Sequence, residues 1–239
     1  MLDTTSITTS ECAPPPCAQL DGAAEEEVPG SPGCTRKWQM VAALSNLLAQ
    51  DRCELLLFLD LDVMITDFRM ALLDLLDRWG FKDHHLIAQP IDPGFPWDTV
   101  HLPNGTDDVA LNTGFMFLRD RPRTRQLVQQ WQRCPLVDKF CEWALDTWWS
   151  CEQGVYNVFI RPTLAPEELL ILPCDEANGH EGSGYPGLPS NCSGRFVSHF
   201  WGWDGHKKAT AAFQKQILRY AKDAMLHHAS NHGQLQEFT

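Results

Sequence analysis

The chain has no run of about 18 consecutive apolar residues, so no membrane-spanning helix is encoded. Its first residues lack a basic stretch followed by an apolar one, so no secretory signal is read there. Basic charge is scarce. Lys and Arg number 19 against 31 Asp and Glu, for a net charge of −12. Non-specific nucleic-acid binding needs a basic surface, and that class of function is excluded. The nine cysteines (Cys12, Cys17, Cys34, Cys53, Cys134, Cys141, Cys151, Cys174 and Cys192) contain no Cys-x-x-Cys pair, so a zinc-finger type of site is excluded.

What is present begins with enough apolar material for a core. A hydrophobic fraction of 44% and nine Trp fit one α/β domain, with or without tails. Residues 1–34 carry six acidic residues and no Lys or Arg. Pro14-Pro15-Pro16 and Glu25-Glu26-Glu27 add to a composition that buries little apolar surface, and a disordered tail is expected over 1–35. The folded domain is expected over 36–228, with a short tail over 229–239. Many cysteines and two glycosylation sequons, Asn104-Gly105-Thr106 and Asn191-Cys192-Ser193, tilt the chain toward a secretory lumen.

The organising stretch is Leu55 to Thr66. Five apolar residues from Leu55 to Leu59 lead into Asp60-Leu61-Asp62. An unbroken apolar run reads as a buried parallel strand, and such sheets keep their chemistry at strand ends. In an extended chain Asp60 and Asp62 share a side. Two hard oxygen ligands there suit Mg²⁺ or Mn²⁺, and the metal in turn holds a phosphate. The plainer alternative is one Asp capping the next helix and one in solvent.

Around it, Trp38, Val41, Ala42, Leu44, Leu47 and Leu48 recur at helical spacing and predict a helix over 36–50. Thr66-Asp67 supply N-cap candidates for a second helix through Met70, Leu72, Leu73, Leu75, Leu76 and Trp79, stopped by Gly80. Leu86–Gln89 predicts a strand, and 91–108 a long loop of the kind that binds or covers a ligand. Val109–Leu118 predicts a strand interrupted by Asn112-Thr113-Gly114, where glycine marks a bulge or a close approach. Helices are predicted over 121–133, 147–160 and 207–228, and strands over 169–172 and 195–200. Strands alternating with helices imply an α/β sandwich around a mixed or parallel sheet.

Four segments stand in order: Phe58-Leu59-Asp60-Leu61-Asp62, Leu111-Asn112-Thr113-Gly114-Phe115, Trp148-Trp149-Ser150-Cys151-Glu152-Gln153 and Val197-Ser198-His199-Phe200-Trp201-Gly202. Together with Lys37-Trp38, they resemble nucleotide-sugar glycosyltransferases of the GT-A fold. The likeness is closest to glycosyltransferase family 34, the galactosyl, mannosyl and xylosyl transferases, and family 77 shares the first three elements. It covers about residues 36–220. The resemblance implies a Rossmann-like mixed sheet flanked by helices. It implies Asp60, Asp62 and His199 as ligands of Mn²⁺ (or Mg²⁺), with Asp60 also near the nucleotide ribose. It implies Glu152 and Gln153 beneath the donor sugar as the catalytic pair, and Asn112 and Gly114 lining the sugar pocket. Lys207, with Lys208, is the candidate for the diphosphate, the plainer alternative being solvated lysines at a helix start. Asp204 and Trp203 depart from the pattern behind the His segment. The implied partners are a nucleotide-diphosphate sugar donor and a glycan or glycoprotein acceptor. The implied reaction transfers a hexose or pentose with retention, and the implied location is the Golgi lumen. A GT-A domain opens with a strand and helix that bind the base. No such pattern precedes Leu55, so that opening strand is expected to be missing.

Two other readings compete. One is a glycosyltransferase-like protein that binds without turnover. The other is a haloacid-dehalogenase-like phosphohydrolase, with Asp60 as nucleophile; that pattern wants Thr or Val where Met64 stands and an acidic pair that ends an apolar strand, whereas Asp107-Asp108 follows a loop.

Overall fold

The apolar runs do form the sheet, in an order that the chain does not follow. The computed structural model describes residues 32–67, 69–92, 99–101, 105, 107–137, 141, 151–179, 184–185, 188–189, 192–200 and 205–231. Residues 1–31 and 232–239, both sequon asparagines, and Trp97, Trp148, Trp149, Trp201 and Trp203 lie outside them.

Helix α1 (Pro32–Leu48) starts ahead of the predicted boundary and buries Trp38, Val41, Leu44 and Leu48. Strand β1 (Leu55–Leu59) ends in a turn at Asp60–Asp62, followed by β2 (Val63–Ile65). Helix α2 (Leu72–Trp79) is closed by Gly80 in the left-handed region at φ 78°, the usual helix-ending conformation of glycine. Strand β3 (Ile87–Pro90) follows. The predicted 91–108 loop instead contains a hairpin of β4 (Thr99–His101) and β5 (Asp107–Val109). Asn112–Gly114 separates β5 from β6 (Phe115–Arg119), so the predicted single strand is two. Helix α3 (Pro122–Val137) comes next. The predicted 147–160 helix is described from Cys151: α4 (Cys151–Val155) passes into a π-helical turn at Tyr156–Ile160. Strand β7 (Leu169–Leu172) precedes α5 (Cys174–Ala177), β8 (Gly184–Tyr185), β9 (Leu188–Pro189) and β10 (Val197–His199). Helix α6 (Gly205–Asn231) ends the described chain, running past the predicted limit.

The main sheet has the order β1-β6-β3-β7, with β6 antiparallel to both neighbours and β3 parallel to β7. This is the expected mixed sheet flanked by helices. Ile87, Met116 and Leu118 pack on one face with α1, α3 and the π-turn. Ala88, Phe115 and Phe117 pack on the other with Leu75 and Leu76 of α2. Trp79 meets Phe115 and Phe117 edge-on at 6.1 and 6.4 Å, the geometry that the ring quadrupoles favour.

Strand β1 departs from expectation. It is antiparallel, only half-buried, and lies at the sheet edge. Leu56 and Phe58 pack on one face and Leu55 and Leu57 on the other. Two covered faces give the same unbroken apolar run that a central strand shows. Asp120 N–H donates to Glu54 O, and Asp60 N–H to Gly114 O. In an antiparallel ladder, partners alternate along the strand. The backbone groups of Leu55, Leu57 and Leu59 therefore point away from β6, toward an edge that pairs with no strand among the described residues.

A second, two-stranded sheet carries the site. β2 pairs with β10, setting His199 opposite Val63. Phe200 N–H donates to Asp62 O at 2.9 Å. Disulfides join Cys134 to Cys141 and Cys174 to Cys192.

Candidate metal and sugar site

Asp60 and Asp62 converge through the turn, not through strand alternation. Val63 N–H bonds back to Asp60 O at 3.1 Å, and Leu61 between them is thrown out at 93% exposure. The β2–β10 pairing then places His199 beside Asp62, with His199 Nε2 3.2 Å from Asp62 Oδ1. One ligand atom from each of Asp60, Asp62 and His199 lies within 4.8 Å of the other two. Two hard carboxylates and one imidazole suit a divalent ion such as Mn²⁺.

The space between these groups exists because residue 114 has no side chain. A Cβ built on Gly114 would lie 2.6 Å from His199 Cε1, and 3.0 Å from both Asn112 Oδ1 and Asp60 Oδ2. Gly205, which opens α6, is also pressed on the site. A Cβ there would lie 2.9 Å from Asp62 Oδ2. Lys207 stands in that same first turn, exposed.

The other predicted residues gather on the opposite side of Gly114. Asn112 Oδ1 accepts from Gly114 N–H at 2.8 Å, which makes the bulge. Gln153 Oε1 accepts from Thr113 N–H at 3.0 Å, while its Nε2 donates to Asp92 Oδ2 at 2.6 Å. Asn157, one helical turn beyond, exchanges hydrogen bonds with both backbone groups of Leu111. The Leu111–Thr113 segment is thus pinned by α4 and its π-turn. Glu152 is buried. Burial pushes its carboxyl up to about 7, against the pull of Lys37 and with the help of Asp60.

Lys37 links the two halves. Its Nζ lies 2.6 Å from Asp60 Oδ2 and 3.8 Å from Glu152 Oε1. Burial disfavours its charge, but Glu152 and Asp60 outweigh burial and raise its pKa. Asp62 is opposed by burial too, yet the hydrogen bond from His199 holds its carboxyl below the ordinary range. A small pocket lined by Lys37, Phe58, Thr113, Trp131 and Glu152 opens beside this bridge.

Three contributors escaped the sequence reading as site residues. Lys37 was legible only as part of a family pattern, and Asp92 fell in a featureless loop. Asn178 gave no signal: it reaches His199 from α5, 21 residues earlier. The acidic pair of the phosphohydrolase reading lies elsewhere. Asp107 and Asp108 begin β5, and Asp108 is ion-paired to Arg161.

No family model matches the chain, and neither does any curated protein sequence. Among solved structures, it is similar to a glycosyltransferase involved in the glycosylation of the major capsid of PBCV-1. The TM-score is 0.53 at 12% identity, over 79% of this chain and 80% of that one. The two chains share a fold. In this chain Asp60 and Asp62 follow the carboxyl end of β1, and the β2–β10 pairing brings His199 beside them.

Proposed function

We propose that the protein is a metal-dependent glycosyltransferase of GT-A type. It would move a hexose or pentose from a nucleotide-diphosphate sugar to a glycan or glycoprotein acceptor, with retention. The observation that carries this reading is the Asp60–Asp62–His199 cluster beside the Gly114 bulge, in a fold shared with a glycosyltransferase. The donor set fits a divalent cation, and Gly114 leaves room for one. When bound there, a divalent cation supplies Lewis-acid neutralisation of the charge that grows on a departing diphosphate.

The remaining roles belong to the chain. Asn112 and Gly114 are assigned to the lining of the sugar pocket, and Gln153 ties Thr113 and Asp92 together beside them. Gln153 Oε1 brings a negative dipole end toward an oxocarbenium-like transition state. Amide oxygen is too weak a base to act as a strong nucleophile, which suits same-face transfer. Glu152, held near neutrality by burial, sets the charge beneath the sugar together with Lys37. Lys207 is assigned to the diphosphate from its place beside Gly205. The two disulfides support an oxidising compartment such as the Golgi lumen.

A panel of nucleotide-sugars with Mn²⁺, scored for donor hydrolysis and for the anomeric configuration of products, tests this reading. Folded protein that shows no Mn²⁺-dependent binding of UDP or GDP by calorimetry would sink it, and inverted products would sink the retaining mechanism. A second reading, binding without turnover, is favoured by the Lys37 ammonium on Asp60, which competes with a metal for that carboxylate. Metal-dependent nucleotide binding with no turnover of any donor would decide for it.

A further inference from the structure

His199 is held from behind by a residue that lies outside the four segments of the family pattern. Asn178 is 0% exposed and follows the short helix α5. Its Nδ2 donates to Ile91 O at 3.0 Å, and its Oδ1 lies 3.0 Å from His199 Nδ1. The first bond fixes which way the amide faces: a backbone carbonyl requires a donor, so the oxygen is left for the imidazole. An amide oxygen only accepts. Nδ1 must therefore carry a hydrogen, which leaves Nε2, 3.2 Å from Asp62 Oδ1, as the nitrogen that faces the Asp60–Asp62 turn.

The support behind Asn178 is built rather than incidental. Backbone N–H groups of Arg195 and Phe196 donate to Asp175 and Glu176 of α5, at 2.8 and 2.9 Å. His199 N–H donates to Gly179 O at 3.0 Å. Gly179 adopts φ +83°, and a Cβ there would strike the Cys192 side chain at 2.8 Å. The Cys174–Cys192 disulfide closes the same unit. Residues 174–179 and 192–199 thus form one clamp, with Asn178 as its contact on the ring.

We propose that Asn178 is a positioning residue. It would fix the tautomer and ring angle of His199, thereby setting the affinity of the Asp60–Asp62–His199 site for a divalent cation. The proposal rests on the metal-site reading above. Outer partners that orient a histidine ligand typically account for about 10- to 100-fold in metal affinity. Without Asn178 the ring is free to rotate, or to turn a protonated Nε2 toward the carboxylates.

The test compares the full chain with Asn178→Ala and Asn178→Asp. Calorimetry reads Mn²⁺ affinity, and nitrogen-edited NMR of the Zn²⁺-loaded form reads the His199 Nδ1–H. The Ala variant is expected to bind Mn²⁺ about 10- to 100-fold more weakly and to lose a protected Nδ1–H signal. The Asp variant keeps an acceptor facing the ring but loses the donor to Ile91 O, and is expected to retain that signal and to bind Mn²⁺ more tightly than the Ala variant. Wild-type Mn²⁺ affinity in the Ala variant would overturn the proposal. So would equal losses in Ala and Asp, or a wild-type His199 protonated at Nε2 and not at Nδ1. A folded wild-type chain that binds no Mn²⁺ at all would overturn the metal site itself, which separates the two failures.

Discussion

Replacing Gly114 with alanine adds one methyl group at the point where the site is tightest. The added carbon would lie 2.6 Å from His199 Cε1, where ordinary contact begins at 3.4 Å. Relief therefore needs a shift of about 0.8 Å, mostly by His199, since Asn112 is buried and bonded to the Gly114 amide. The ring cannot swing away cheaply, because Asn178 holds its other nitrogen. Overpacking of this kind costs about 1–3 kcal/mol of stability. The same displacement is several times the ~0.2 Å tolerance of metal–ligand distances. Mn²⁺ affinity should then fall by at least about tenfold, with a modest drop in melting temperature. Gly80→Ala is the matched control. Gly80 also has a special conformation, at φ +78°, but nothing lies within 4 Å of its added Cβ. That variant should lose about 1–2 kcal/mol for the left-handed backbone and bind Mn²⁺ normally. Calorimetric titration of both variants decides the matter. A Gly114→Ala protein with wild-type Mn²⁺ affinity would refute the claim that the bulge makes room for the ion.

Further outcomes follow from other parts of the molecule. Asp62→Ala should abolish Mn²⁺-dependent nucleotide binding while circular dichroism stays unchanged; retained affinity would remove Asp62 from the ligand set. Glu152 titrates near 7 when folded against 4.5 in the free side chain. The folded state thus keeps a proton that the unfolded state releases. Its stabilisation is full below about pH 4.5 and is lost as pH rises through 7, by roughly 3 kcal/mol in metal-free protein. Glu152→Gln should flatten that limb of a stability–pH curve, and an unchanged slope would show that the carboxyl is not held neutral. Replacing both Cys174 and Cys192 by serine opens a loop of 18 residues and should lower stability by about 3 kcal/mol in urea unfolding. Gln89 is fully buried, and neither end of its amide has a hydrogen-bond partner among the described residues. Gln89→Met should match or exceed wild-type stability, and a loss of several kcal/mol would point to an ordered water or ligand on that amide.

The apolar runs at Leu55, Leu86, Phe115 and Leu169 made the strands legible, and Gly80 made a helix end legible. Their order in the sheet was not, because pairing depends on segments far apart in the chain. The edge position of β1 was hidden for a physical reason: side chains report which faces are covered and say nothing about a third direction, in the plane of the sheet. Asp60, Asp62 and His199 were nameable from their segments, but the means of their convergence was not. It takes a turn that expels Leu61 and the pairing of β2 with β10. The π-helical turn at Tyr156–Ile160 had no counterpart in the periodicity, since one extra residue per turn shifts a face without changing its composition.

Among the described residues no strand pairs with the outer edge of β1, and this has a consequence for handling the protein. Leu55, Leu57 and Leu59 offer a row of backbone donors and acceptors with no lysine, proline or bulge to guard it. Such rows template intermolecular β-pairing and fibrillar assembly. Partial melting or high concentration should therefore nucleate aggregates here first. A gatekeeping charge such as Leu57→Lys would blunt the hazard, but Leu57 packs against the core on the α2 face and falls three residues before Asp60. Solubility and ion binding are thus traded against each other within a single short stretch of chain.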